Sequence, residues 1–530
     1  MGYGTRLAGK IARGTLITLI GRVVNYPIIL LTGMAIPRLL GPTAYGLVPL
    51  VLSFVSVLAI VADFGMTPAL VKYTAHYAGS EEYGKLRGIA SSSAKLMIGL
   101  RVLCGLPYFL LADFVANSVF GVPESALFIR ISAVTFMLAG LGNVFPPILQ
   151  GLQRQGYRVS LSVLSNCSYL AISVAIILAG YGVLGVFMGS FLTQVVVIVA
   201  AVAVFYWKIF LPFLRGVRGV SDFNARGVLL SYGKLAFIST ILYTVTVQLP
   251  VLLLKSYGGT LEEIAFYSIG IGVSEFAIMT PISEFYAVLF PAVSELHGKG
   301  RWELIRETVR RTTKYLTVFA MFMGVAVIVF ARELILIIYD EPYLGAAAVL
   351  VFLAAVPIIR GIDTGPSSVV DGTGRIDIYV KANVIGLATY LLVGVTLIPR
   401  LGLMGAVFTT LVYTVIAHAF IYLSVMRGVI RTSIPWITFV KPMLAAIGAG
   451  LVVYLLPRPF PPLVTGIFYG SLYTVVFIFG VILIGGMDRS DLAFLEKILQ
   501  GYPRSQRILS PIMGIFGWVM SLCDRISGRH

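Results

Sequence analysis

Apolar runs of about 20 residues recur along this chain, each long enough to cross a bilayer as a helix. Fourteen can be read, at 14–36, 44–71, 89–112, 125–149, 158–179, 183–207, 228–254, 263–290, 312–331, 345–370, 378–398, 402–425, 436–456 and 463–485. Charged residues are 12% of the sequence and hydrophobic ones 58%. Soluble domains carry about 25% charged residues. The expectation is an all-α integral membrane protein with about fourteen transmembrane helices.

The chain also echoes itself. Leu70, Gly79 and Arg87 fall on Leu289, Gly298 and Arg306 at an offset of 219. Gly151 and Arg154 meet Gly372 and Arg375, and Gly182 and Gly185 meet Gly402 and Gly405, at nearly the same offset. Six spans per copy is an even number, so the copies share one orientation and are related by an axis along the membrane normal. The organisation expected is an N lobe at 1–210 (spans 1–6), a cytoplasmic connector at 211–227 and a C lobe at 228–425 (spans 7–12). Spans 13 and 14 at 436–485 lie outside the duplication. The tail at 486–530 reads as amphipathic and cytoplasmic, with a helix capped by Ser490 and a short interfacial stretch at 508–523.

The net charge of +17 could suggest nucleic-acid binding, but its distribution suggests a membrane. Numbering the loops and taking alternate ones, one side holds only Arg38, Lys255, Arg332, Arg400 and Arg458, while most loop cations fall on the other. Basic loops stay cytoplasmic, which puts both termini on the cytoplasmic side of a cell membrane. Facing anionic lipid headgroups accounts for the charge without nucleic acid.

Charges inside the spans are the sharpest functional signal. Each costs about 2.5–3.5 kcal/mol at a helix centre on the insertion scale, so such groups normally face a cavity or each other. Cations are Arg22, Lys95, Arg101, Arg130 and Arg360; acids are Asp63, Glu275, Glu284 and Asp363. Internal pairing is one reading, of Asp63 with Arg22 or Lys95 and of Arg360 with Asp363. The other follows from asymmetry, because four of the cations lie in the N lobe and three of the acids in the C lobe. Arg22, Arg101 and Arg130 become Ile241, Ala320 and Val351 in the second copy. Clustered guanidiniums suit a phosphate or carboxylate. Asn25 and Gln248 add polar cavity groups, and the four acids are candidates for coupling Na⁺ or H⁺. His418 in span 12 reads as packed and neutral. No cysteine or histidine spacing indicates a metal, and no phosphate-cradling loop indicates an ATPase.

Leu40-Gly41-Pro42-Thr43-Ala44-Tyr45-Gly46-Leu47, then Asp63-Phe64-Gly65-Met66 and Ala69-Leu70-Val71-Lys72, resemble the opening of polysaccharide-biosynthesis flippases. These belong to the multidrug/oligosaccharidyl-lipid/polysaccharide exporter superfamily. Leu149-Gln150-Gly151 with Arg154, and Phe290 through Leu296, resemble later family segments. The resemblance implies a V-shaped, two-lobed transporter that moves a lipid-linked oligosaccharide or polysaccharide precursor outward by alternating access, with no catalytic residues. It implies as partners the glycan lipid, membrane lipids and glycan-assembly machinery. It also implies N-lobe arginines near the pyrophosphate, with Arg22 the best-matching position. Family members often carry an acid in span 7, where this chain has Gln248, Leu249 and Pro250. The alternatives are an ion-coupled multidrug or organic-ion exporter of the same superfamily and a membrane glycosyltransferase or polymerase. Short external loops count against the last, and Arg22 without an acid in span 1 counts against a cation exporter.

Overall fold

Hydrocarbon offers no water to the backbone, so a spanning segment must satisfy its own N–H and C=O groups. In the computed structural model every long apolar run does so as a helix, and there is no strand among the described residues. The structure describes residues 3–215, 227, 234–433, 436–487, 491, 514 and 517, without the side chains of 3–16, 19, 213, 214 and 234–236. The expected Ser490 cap and most of the 508–523 stretch and of the 211–227 connector lie outside the described residues.

Fourteen helices among the described residues are long and apolar enough to span. They are Ile20–Leu40, Pro42–Asp63, Tyr83–Leu110, Ser125–Gly151, Gln155–Tyr181, Leu184–Pro212, Phe237–Ser256, Leu261–Gly298, Trp302–Val329, Gly345–Thr373, Asp377–Leu401, Leu403–Val429, Trp436–Tyr454 and Pro462–Leu483, here spans 1 to 14. Large apolar side chains such as Val23, Val288 and Leu392 stay more than 70% exposed, as a lipid-facing surface requires. Three spans differ from expectation, and one of them, span 9, begins at Trp302 and so ten residues before the 312–331 run. The 44–71 run breaks where Phe64 and Gly65 take left-handed φ of 46° and 71°, and a separate helix, Met66–Gly79, follows. Span 8 runs well past 263–290 and contains a π-turn at Glu275–Met279.

The duplication is visible in local geometry. Tyr83–Leu110 and Trp302–Val329 are both 28 residues long and start 219 positions apart. Each is preceded by the same turn: the Glu82 N–H donates to the Tyr77 carbonyl at 2.9 Å, and the Arg301 N–H to Leu296 at 2.9 Å. Glu81 (φ 58°) and Gly300 (φ 67°) hold the equivalent left-handed position. The cores correspond as well. Leu70, Leu86, Ile148 and Leu149 pack together in one copy, and Leu289, Ile305, Val369 and Val370 in the other. A glycine closes each core. A Cβ on Gly151 would sit 2.7 Å from the Val71 carbonyl oxygen, and one on Gly372 2.8 Å from Val293 Cγ1.

The chain folds into two compact units, Met1–Ser268 with Tyr390–Ala406 and Ile269–Thr389 with Val407–His530. Span 7 falls in the first because it packs on span 2, so this division differs from the repeat division. In the second unit, spans 13 and 14 bury Ala446, Ala449, Tyr473 and Phe477 against span 9. The Tyr473 hydroxyl donates to the Phe322 carbonyl at 2.9 Å, which satisfies both groups away from water.

Candidate functional site

Span 1 and span 5 meet along a polar seam in the first unit. Gly21 is buried against Val159, where a Cβ would clash, so the absence of a side chain lets the two helices approach. One residue further, Arg22 is half-buried, and its positive charge acts on that of Arg158. Asn25 follows on the same face of span 1. Its amide donates to Ser162 Oγ at 3.5 Å, and Asn166 Nδ2 donates to Asn25 Oδ1 at 2.8 Å. Arg158, Ser162 and Asn166 lie four residues apart, one above the other on span 5. Arg158 Nε donates to Gln155 Oε1 at 2.9 Å, which fixes its head near the end of the span.

Two like charges held together at a helix seam are stabilised when an anion lies between them. Guanidinium forks suit the oxygens of a phosphate or diphosphate. The amides and hydroxyl behind them are satisfied by one another. Arg158, the first residue of the 158–179 run, is not among the intramembrane charges that the sequence singles out. The signal available was its i, i+4, i+8 register with Ser162 and Asn166.

The other N-lobe cations go elsewhere. Lys95 is exposed on span 3. Arg101 is 6% exposed; its Nη1 donates to the Phe136 carbonyl at 3.2 Å, and its guanidinium lies 4.9 Å from the Phe136 ring centre. That pairing ties span 3 to span 4. Arg130 pairs with Asp113 at 2.5 Å, with both side chains well exposed. Asp63 accepts from Thr67 Oγ1 at 2.6 Å across the break after span 2, with the Arg101 charge acting nearby. Gln248 is half-buried on span 7.

The second unit concentrates its charges on one face of span 10. Arg360, Asp363, Ser367 and Asp371 follow at i, i+3, i+7 and i+11. Arg360 forms its ion pair with Glu275, at the start of the span 8 π-turn, instead of with Asp363 as the i,i+3 spacing suggested. Asp363 is 2% exposed and meets His418 Nδ1 at 3.0 Å and Ser367 Oγ at 3.1 Å. His418 is therefore a hydrogen-bonding partner of an acid and more than packing. Asp371 accepts from Tyr286 and lies 3.1 Å from the Tyr379 hydroxyl. Glu284 is half-buried on span 8. Asp363 and His418 border a cavity of about 230 Å³ whose other walls include Ile359, Val415, Trp436 and Phe439. Among the described residues no group of three His, Cys, Asp or Glu could hold a metal ion.

A family model described as polysaccharide biosynthesis protein matches residues 35–348. An uncharacterized membrane protein of Methanocaldococcus jannaschii is 26% identical over 381 residues, 69% of this chain and 74% of that one. The lipid III flippase of Escherichia coli is 24% identical over 303 residues, 57% of this chain and 71% of its own. The succinoglycan biosynthesis transport protein ExoT of Rhizobium meliloti is 25% identical over 467 residues, 83% of this chain and 87% of its own. Among solved structures, the lipid II flippase MurJ in an inward closed conformation superposes with a TM-score of 0.68 at 12% identity, covering 88% of this chain and 98% of that one. An inward-facing MATE multidrug transporter gives 0.60 at 15% identity, covering 76% and 94%. At these identities the structural likeness establishes a shared fold.

Proposed function

The chain belongs to the polysaccharide biosynthesis protein family, and we propose that it flips a lipid-linked oligosaccharide or polysaccharide precursor, carried on a polyprenyl phosphate or pyrophosphate, across the cell membrane. The observation that carries this reading is the span 1–span 5 seam, where Asn166 is hydrogen-bonded to Asn25 and the Arg22 charge acts on Arg158. A glycan lipid brings to such a seam the one charged group that a membrane transporter must conduct through a low-dielectric path, its phosphate. The guanidiniums hold that group by charge-assisted hydrogen bonds while the sugar crosses.

The repeat lobes, 1–210 and 228–425, would alternate access to the seam, with spans 13 and 14 fixed on the second and both termini cytoplasmic. The relatives named as flippases and transport proteins support a transporter instead of a catalyst. A multidrug exporter of cations fits less well, since the seam gathers cations and amides among the described residues. For coupling, Asp363 with His418 is the best-built candidate: a buried carboxylate hydrogen-bonded to an imidazole can trade a proton without leaving an isolated charge. Glu275 is engaged with Arg360, and Asp63 and Glu284 are the remaining acids for Na⁺ or H⁺.

The test is a deletion strain. Lipid-linked glycan should accumulate on the cytoplasmic leaflet and be cleared by the wild-type gene. A deletion strain with normal glycan export and no such accumulation would contradict the reading.

A further inference from the structure

The cytoplasm-facing ends of spans 9, 13 and 14, as oriented by their basic flanks, enclose a polar pocket of about 260 Å³ that the flipping mechanism does not use. Four cations line it: Arg310, Arg311 and Lys314 from span 9 and Lys441 from span 13. Two are neutralised locally. Arg311 is paired with Glu307, one turn before it. Lys314 is paired at 2.5 Å with Asp491, whose other oxygen accepts from the Tyr315 hydroxyl at 3.0 Å. The Asp491 side chain is 7% exposed and holds these two partners as a buried anchor.

Two positive charges are left over. Lys441 Nζ donates to the Gly485 carbonyl at 2.9 Å, a neutral acceptor that orients the ammonium without cancelling it. Arg310 is exposed at the rim and has no partner among the described residues. The pocket thus has a net positive charge and a wall of polar atoms, and the orientation given by the basic flanks turns it toward the cytoplasmic headgroups. Basic pockets between membrane helices on this side suit phosphate-bearing headgroups. A surface lysine run would be solvated and flat; this site is concave and built by three spans, two of them outside the duplication.

We propose that this pocket binds the phosphate of an anionic phospholipid headgroup, with Arg310 and Lys441 as the anion contacts and the Lys314–Asp491 pair as the fixed wall. Occupied, it would tie spans 13 and 14 to span 9. The proposal does not depend on what the chain transports, because its test reads binding.

Purified full-length protein in detergent is titrated with phosphatidylglycerol, phosphatidylcholine or inorganic phosphate. Retained adducts are read by native mass spectrometry and the thermal unfolding midpoint is followed in parallel. Wild-type protein should retain phosphatidylglycerol over phosphatidylcholine. The Arg310→Gln/Lys441→Gln variant should bind it roughly tenfold or more weakly, as expected for losing charged hydrogen bonds. Arg310→Gln alone, an exposed change that leaves the packing intact, should weaken it by a smaller factor. Arg427→Gln, an exposed cation on the same side outside the pocket, should change nothing. Equal retention of phosphatidylglycerol by wild type and the double variant would overturn the proposal. So would inorganic phosphate giving the full thermal shift, which would assign the pocket to a free anion.

Discussion

The seam of spans 1 and 5 and the face of span 10 are built on one duplicated frame, yet they carry opposite chemistry. Arg22 corresponds to Ile241 in the second copy, and Asp363 corresponds to Gly142 in the first. Helix lengths, turns, core residues and the closing glycines agree between copies. The frame therefore does not require these charges. A buried charge kept in one copy and absent from the other, at a cost of a few kcal/mol on insertion, points to function more strongly than one shared by both.

The largest effect expected is at the cationic seam. Arg22→Ala should abolish rescue of the deletion strain while leaving membrane insertion intact, since loss of a charge-assisted contact in a desolvated seam is worth about 1.5–3 kcal/mol, roughly ten- to a hundredfold. Arg22→Lys should rescue in part, because a point charge attracts the phosphate but lacks the fork. Rescue by Arg22→Ala at normal protein level would remove the seam from the mechanism.

The acidic cluster should show a different kind of loss. Asp363→Asn and His418→Gln should leave some flipping but make it insensitive to a protonophore that slows the wild type. If the wild type ignores protonophores and Na⁺ gradients alike, the contrast between a substrate-binding copy and a coupling copy fails.

The shared frame can be tested through its glycines. Gly151→Ala and Gly372→Ala should each destabilise the purified protein by about 1–3 kcal/mol, the usual cost of overpacking, read as similar drops in thermal midpoint. A large drop for one and none for the other would mean that the two cores are not equivalent. The smallest effect is expected at Arg130→Gln. Its pair with Asp113 is exposed, and such pairs contribute about 0–1 kcal/mol, so midpoint and rescue should stay near wild type.

What the sequence made legible was whatever repeats or spans. Fourteen apolar runs and a one-sided distribution of loop cations define the helices, and the constant offset reveals the duplication. The break at Phe64–Gly65 was less visible, because an apolar run carries on through it. Pairings across helices were not legible at all. Arg130 finds Asp113 and Arg360 finds Glu275 through packing that no spacing encodes. His418 lies 55 positions from Asp363, so an isolated histidine in an apolar run looks inert until the spans are packed. Arg158 was hidden for another reason: at the start of a span, a seam residue and a loop cation look the same.

The most direct test of the central claim is translocation in a defined membrane. Full-length protein would be reconstituted into vesicles carrying a fluorescent polyprenyl-pyrophosphate-linked glycan, and outward movement would be read by quenching at the outer leaflet. The account predicts that wild-type vesicles expose the lipid faster than protein-free ones, and that Arg22→Ala and Arg158→Ala vesicles with equal protein expose it at least roughly tenfold more slowly than wild type. Wild-type vesicles no faster than empty ones, or both variants matching wild type, would contradict it.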